Sequence, residues 1–214
     1  MSGEPAPRIV LASGSPRRRE LLAALGVTYE VDPADVDETT DEPDPVRVAE
    51  DLALLKARTV STRHPDAVVI GSDTVVALDG ALLGKPANAD EARAMLRSLR
   101  GRAHEVVTGV AVITGGDAAR TEHVTHSSTA VTMREYTDEE VEAFIATGSP
   151  FDKAGGYASQ DPVFAPTARI EGCPCGVVGL PLWALGALLA DAGVEVGPPA
   201  LERCGGCLER PNDR

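Results

Sequence analysis

Apolar positions along this chain follow two rhythms, short continuous runs and helical stripes. "RIVLA" at 8–12 is a short apolar run and predicts a buried strand. In the turn that follows, Ser15 reads as a helix N-cap with Pro16 at the first helical position, where its missing N–H costs nothing. Leu21, Leu22 and Leu25 form the stripe of that helix, and Gly26 stops it. Asp44-Pro45 opens a second helix, with Ala49, Leu52, Ala53 and Leu55 read as its buried face; it ends before His64-Pro65. "AVVIGSDTVVALDGALLGKP" is a buried run, a polar break, a second run and an Asp79-Gly80 turn, a hairpin signal. Asn88 with Glu91 caps a third helix with Ala92, Met95, Leu96 and Leu99 inward. "HEVVTGVAVI" predicts a strand, turned by Gly115-Gly116 into another long strand ending near Met133. Thr137 and Glu140 form a capping box for a fourth helix that ends at Gly148. Residues 149–166 are rich in turn formers, "TARIEG" and "GVVGL" read as strands, and Pro181 opens a last helix through Ala192.

Strands and helices mix without strict alternation, and no internal repeat is visible. This favours an α/β fold with a mixed sheet and surrounding helices over a doubly wound parallel one. Residues 8–193 read as a single domain and residues 197–214 as a flexible C-terminal tail.

Composition changes the picture in three places. Aromatic residues make up only 3% of the chain against 43% hydrophobic overall, so the core must rest on Val, Leu, Ile and Ala. With 33 acidic and 20 basic residues, a general nucleic-acid surface is not expected, although a locally positive cleft for an anion is compatible with that balance. No apolar run approaches the roughly 18 residues of a membrane helix, and the N-terminal segment lacks the pattern of a signal peptide; the expectation is a cytoplasmic protein without membrane or nucleic-acid partners. Cys173-x-Cys175 and Cys204-x-x-Cys207 have the short spacings of zinc ligands, but the pairs lie far apart. Reduced thiols are the reading adopted for a cytosol.

Candidate chemistry gathers where local rules are broken. Arg17 and Arg18 stand in the first turn of a helix, where the dipole favours acids, so the arrangement makes sense if an anion sits there. Successive helical residues fan out by about 100°, so Arg17, Arg18 and Arg19 cannot all face one ligand, and Arg19 is assigned to solvent. Asp73 ends a buried run; it reads as a general base or metal ligand, or as a turn-capping carboxylate. In a regular two-residue hairpin Lys85 would face away from it, so the ladder is expected to break near Gly84 to let both meet one cleft. The acidic stretch "DPADVDETTDEPD" can add a carboxylate to a hard-cation site. "FDKAGGYASQ" is a weaker candidate loop, and His104 and His123 lack metal-ligand spacing and read as structural or surface residues.

Taken in order, "LASGSPRRRELL", "GSDTVV", "GKP", "HEVVTGVAV", "FDKAGGYASQ" and "VVGLPL" resemble the Maf family of nucleoside triphosphate pyrophosphatases, from about Ile9 to Leu189. The resemblance implies an elongated mixed sheet related to the inosine triphosphatase-like group, with two lobes around a cleft. It implies hydrolysis of a nucleoside triphosphate to monophosphate and pyrophosphate with a divalent cation, Mg2+ or Mn2+, as cofactor; a homodimer is compatible with it. Carried over residue by residue, it assigns the phosphate-binding loop to Ser13, Ser15, Arg17 and Arg18. Catalytic roles fall on Asp73, Lys85 and Glu38, metal ligation on Glu38 and Asp73, and substrate contact on Lys56, Thr74, Lys153 and Gln160, with Arg17, Thr74 and Gln160 selecting the substrate. The late loop is similar to the dTTP/UTP branch rather than the 7-methyl-GTP branch, although "ASQDPVFAP" departs from the usual Ile-Gln-Gly continuation. A non-catalytic nucleotide-binding regulator of cell division and a terminal phosphatase are the rival readings.

Overall fold

The computed structural model of the chain describes residues 7–115 and 120–211. Its centre is a seven-stranded mixed sheet. Strand β1 (Ile9–Leu11) lies between β2 (Tyr29–Val31) and β3 (Val68–Leu78), parallel to both. Beyond β3 the sheet is antiparallel, continuing through β5 (Ala103–Thr114), β6 (Thr121–Met133) and β7 (Thr167–Glu171). The short β4 (Ala81–Leu83) forms a hairpin with the end of β3 through the Asp79-Gly80 turn, where both residues take positive φ. Gly116, half of the turn expected between β5 and β6, lies outside the described residues.

The helices are α1 (Pro16–Ala23), α2 (Pro45–Ser61), α3 (Ala89–Leu99), α4 (Asp138–Ala146), α5 (Pro174–Val178) and α6 (Leu182–Asp191). Their starts follow the expected chemistry: the side chains of Ser15, Asp44, Asn88 and Thr137 each accept a hydrogen bond from a first-turn N–H. Apolar side chains collect in separate clusters. One, with Leu22, Ile70 and Leu185, lies between the sheet and α1 and α6; another, with Leu96, Val131 and Phe144, lies under α3 and α4. A third joins α2 to the opposite face through Ala53, Ala57 and Val60.

Two glycines set how closely α2 approaches. A Cβ on Gly71 would come within 2.2 Å of the Ala53 carbonyl oxygen, and one on Gly109 within 2.1 Å of the Ala49 carbonyl oxygen. Gly109 is the cross-strand partner of Asp73. The helix backbone therefore rests directly on the strands beside that carboxylate.

Strand β2 is not part of the sequence reading, and three further features differ from it. "GVVGL" is not a strand: Pro174 starts a helical turn, and the Cys173 side chain accepts a hydrogen bond from Gly176 N–H. Leu55 is 39% exposed, while Lys56 on the neighbouring face is buried. The C-terminal segment makes defined contacts over residues 200–208. Ala200 N–H donates to the Ala24 carbonyl, Leu208 N–H donates to the Gly172 carbonyl, and Cys204 and Cys207 are buried in the cluster under α6.

Candidate active site

The cleft is a gap in the sheet. On one edge of β3, the neighbouring strand β1 pairs only with Val68–Ile70, and β4 begins pairing at Val76. Among the described residues, 71–75 have no strand neighbour on that edge, although β5 pairs with all of them on the other. The gap opens at the carboxyl end of the parallel strand β1, where α/β sheets commonly bind ligands. A cavity of about 490 Å³ occupies it, lined by Ser13, Ser15, Arg17, Arg18, Glu38, Lys56, Asp73, Thr74, Lys85, Lys153 and Gln160. These are all eleven of the positions to which the family resemblance assigns a site role.

Neighbouring residues of β3 serve opposite walls. Asp73 projects on the α2 side, where its Oδ1 accepts a hydrogen bond of 2.5 Å from Lys56 Nζ. The same ammonium lies 2.6 Å from Glu38 Oε1, and Lys85 Nζ lies 3.6 Å from Glu38 Oε2. Burial pushes the Glu38 carboxyl up, but the Lys56 hydrogen bond and the charges of Lys56, Lys85 and Arg18 outweigh it and hold the group below its ordinary value. Two carboxylates and two ammonium groups thus form one charge-balanced cluster. Lys85 reaches it because the β3–β4 ladder stops at Leu83; beyond it, the Gly84 carbonyl accepts from Gly155 N–H instead.

Thr74 projects on the other side and meets Arg18. The Arg18 guanidinium donates through Nη2 to Thr74 Oγ1 at 3.3 Å, through Nη1 to Ser13 Oγ at 3.3 Å and through Nε to the Gly179 carbonyl at 2.9 Å. Burial lowers the Arg18 pKa from its ordinary value, partly offset by the charges of Asp73 and Glu38. Arg17 stands nearer the rim, its Nη1 3.9 Å from Asp152 Oδ2, and Arg19 is exposed as expected from the helical fan. Lys153 enters from the loop after α4, donating to the Ser149 carbonyl at 2.6 Å and pairing with Asp152. Gln160 sits exposed on the mouth of the same loop.

Several groups in this arrangement escape a reading of the sequence. Ser72 Oγ lies 2.9 Å from both the Gly179 and Gly109 carbonyl oxygens and shares its one proton between them, and Thr108 Oγ1 donates to the Gly176 carbonyl at 2.8 Å and lies 2.9 Å from Thr74 Oγ1. They hold the backbone that holds Arg18. A carbonyl acceptor leaves no mark in a sequence. Asp152 leaves one, as the acid of "FDKAGG", but its partners become visible only in the fold. His104 is buried, its Nε2 2.6 Å from the hydroxyl of Tyr157, which lines the cavity.

The fold and the cleft define an α/β protein built to hold a polyanion between guanidinium groups and a carboxylate–lysine cluster. The chain belongs to the Maf family: the family model described as "Maf-like protein" matches residues 8–192. It is 50% identical over 205 residues to a dTTP/UTP pyrophosphatase of Thermomicrobium roseum, covering 92% of each chain. It is 48% identical over 196 residues to a dTTP/UTP pyrophosphatase of Deinococcus radiodurans, covering 91% of this chain and 98% of that one. A third dTTP/UTP pyrophosphatase, from Moorella thermoacetica, is 48% identical over 191 residues, covering 88% and 97%. Among the described residues no helix is long and apolar enough to cross a membrane.

Proposed function

We propose that this chain hydrolyses a nucleoside triphosphate, dTTP or UTP in keeping with its relatives, to the monophosphate and pyrophosphate. The observation that carries the reading is the convergence of Arg18 and Asp73 on one cavity from opposite walls of the same strand edge.

A triphosphate brings about four negative charges, for which arginine supplies paired donors and lysine point charges. Arg17 and Arg18 at the start of α1, with Lys153 and Lys85 across the cleft, supply the positive lining. Asp73 accepts a proton from a water as its oxygen bonds to the α-phosphorus. The bond from that phosphorus to the α,β-bridging oxygen breaks, and its electrons leave on pyrophosphate. Lys56 holds one Asp73 oxygen and so fixes the carboxylate for this transfer, while preorganised cations stabilise the charge that develops on the phosphate oxygens.

The carboxylates also suit a hard cation. Glu38 and Asp73 both reach one ammonium group, so a Mg2+ or Mn2+ ion between them would meet two carboxylate ligands and complete its shell from triphosphate oxygens. When bound, such an ion withdraws charge from those oxygens.

The test is product analysis with dTTP and UTP, by chromatography and phosphorus NMR. The wild-type chain should release monophosphate and pyrophosphate, and Asp73→Asn should keep the fold while losing nearly all turnover. Release of diphosphate and inorganic phosphate, binding without turnover, or a wild-type rate in Asp73→Asn would each overturn the assignment.

A further inference from the structure

The four cysteines do not belong to the cleft, yet all four are buried within one apolar cluster. Cys173 and Cys175 flank the first residue of α5, while Cys204 and Cys207 arrive from the C-terminal segment. The two short-spaced pairs meet residue for residue. Cys175 and Cys204 are joined as a disulfide with Cα atoms 6.5 Å apart, which corrects the expectation of four reduced thiols. Cys173 and Cys207 remain free, and their sulfurs lie within 4.8 Å of each other and of a Glu209 carboxylate oxygen. Among the described residues, Glu209 Oε2 is buried without a hydrogen-bond partner. A buried carboxylate oxygen left unsatisfied beside two thiols is costly unless a cation or proton joins it.

We propose that this cluster is a zinc site: Cys173 and Cys207 bind one Zn2+ as thiolates, Cys175 and Cys204 complete a four-thiolate shell when their disulfide is reduced, and Glu209 adjoins it. Zn–S distances of about 2.3 Å in a tetrahedron place sulfurs just under about 4 Å apart, a spacing the Cys173–Cys207 approach accommodates. A dithiol reductant supplies the two electrons and two protons that open the Cys175–Cys204 bond and is itself oxidised to a disulfide. Zinc then displaces the four thiol protons to solvent. Soft thiolate donors at C-x-C and C-x-x-C spacing select zinc over the hard cations suited to Glu38 and Asp73.

The ion would fasten the C-terminal segment to the start of α5. The far end of that helix carries Gly179, whose carbonyl accepts from Arg18 and Ser72. The metal is thus structural, one short helix away from the cleft.

The full chain, reduced with a dithiol and stripped by a chelator, is titrated with Zn2+ and with Co2+ under exclusion of oxygen. One metal per chain is expected, with cobalt giving thiolate charge-transfer and tetrahedral d–d bands. The unreduced, disulfide-containing chain should show weaker charge-transfer absorption, from two thiolates rather than four. Cys173→Ser/Cys207→Ser should lose the bands, and Glu209→Gln should weaken zinc binding to the unreduced chain by roughly tenfold, because there the carboxylate stands beside only two thiolates and is free to ligate. Zinc uptake below about a tenth of an equivalent, or cobalt bound without thiolate bands, overturns the proposal. Both readouts are taken on the wild-type chain and do not depend on the double variant folding.

Discussion

Lys56 is the residue whose removal tests the cleft most directly. Its side chain is 7% exposed and joins Asp73, 11% exposed, to Glu38, 43% exposed. Lys56→Met keeps the stem and deletes the ammonium. Breaking a buried ion pair from one side costs about 3–5 kcal/mol, most of it the stranded partner. The half-exposed Glu38 rehydrates, so the loss comes mainly from Asp73 and sits near the lower end, about 3 kcal/mol. That is a large part of the roughly 5–15 kcal/mol of a typical domain, but it leaves a folded protein to measure. The assay is urea denaturation with a magnesium chelator present, reading the midpoint shift at constant slope. A second arm places Lys56→Met in the Asp73→Asn background, where no buried carboxylate is stranded. There the cost should fall to about 1 kcal/mol, the difference being the coupling between the two side chains. In a third arm Mg2+ is added. On the proposed reading it should stabilise Lys56→Met more than the wild type, because the cation would take the ammonium's place between the same carboxylates. A loss below about 1 kcal/mol, or additive effects in the double variant, would show that Lys56 does not balance the charge of Asp73.

The remaining predictions concern single contacts. Arg18→Ala removes a charged donor to Ser13 and Thr74 that, on the proposed reading, also meets the substrate; hydrogen bonds to charged groups are worth about 1.5–3 kcal/mol, so KM for dTTP should rise roughly 10- to 150-fold by steady-state kinetics, with kcat changing less. Gly109→Ala forces a methyl against the Ala49 carbonyl, and overpacking of this kind costs about 1–3 kcal/mol; the melting temperature and turnover should fall together as α2 shifts and carries Lys56 from Asp73. His104 is held neutral by burial, its pKa lowered from 6.5 to about 4. Between those values the unfolded chain takes up the proton first, so stability is lost as pH falls, by about 2 kcal/mol at pH 5 and about 3 kcal/mol at pH 4. His104→Gln should flatten that part of the wild-type profile in urea midpoints.

How far the sequence reveals this arrangement depends on which rules its residues break. Arg17 and Arg18 violate the dipole preference of a helix start, and Asp73 ends an apolar run; both oddities are visible in the residues alone and both line the cleft. The helix starts are legible because caps act locally. The path of residues 200–208 is not, because it follows from long-range contacts with α1, α6 and the Cys175 segment rather than from local preference. "GVVGL" misleads because β-branched residues imply a strand, whereas Pro174 and the Cys173 cap outweigh them over so short a turn. Lys56 is the most instructive case. It lies four residues after Leu52 and four before Val60, both buried, so helical spacing places it on the inward stripe. Apolarity alone favours Leu55 for that stripe instead. A lysine on an apolar stripe must either leave the core or find buried counter-charge. Here Gly71 on β3 and Gly109 on β5 let α2 sit directly on the strands, and the Lys56 ammonium meets Asp73 at 2.5 Å. Position on the stripe is therefore a stronger signal than hydrophobicity: spacing turns Lys56 inward, and the carboxylate it then requires is the one that interrupts the apolar run of β3.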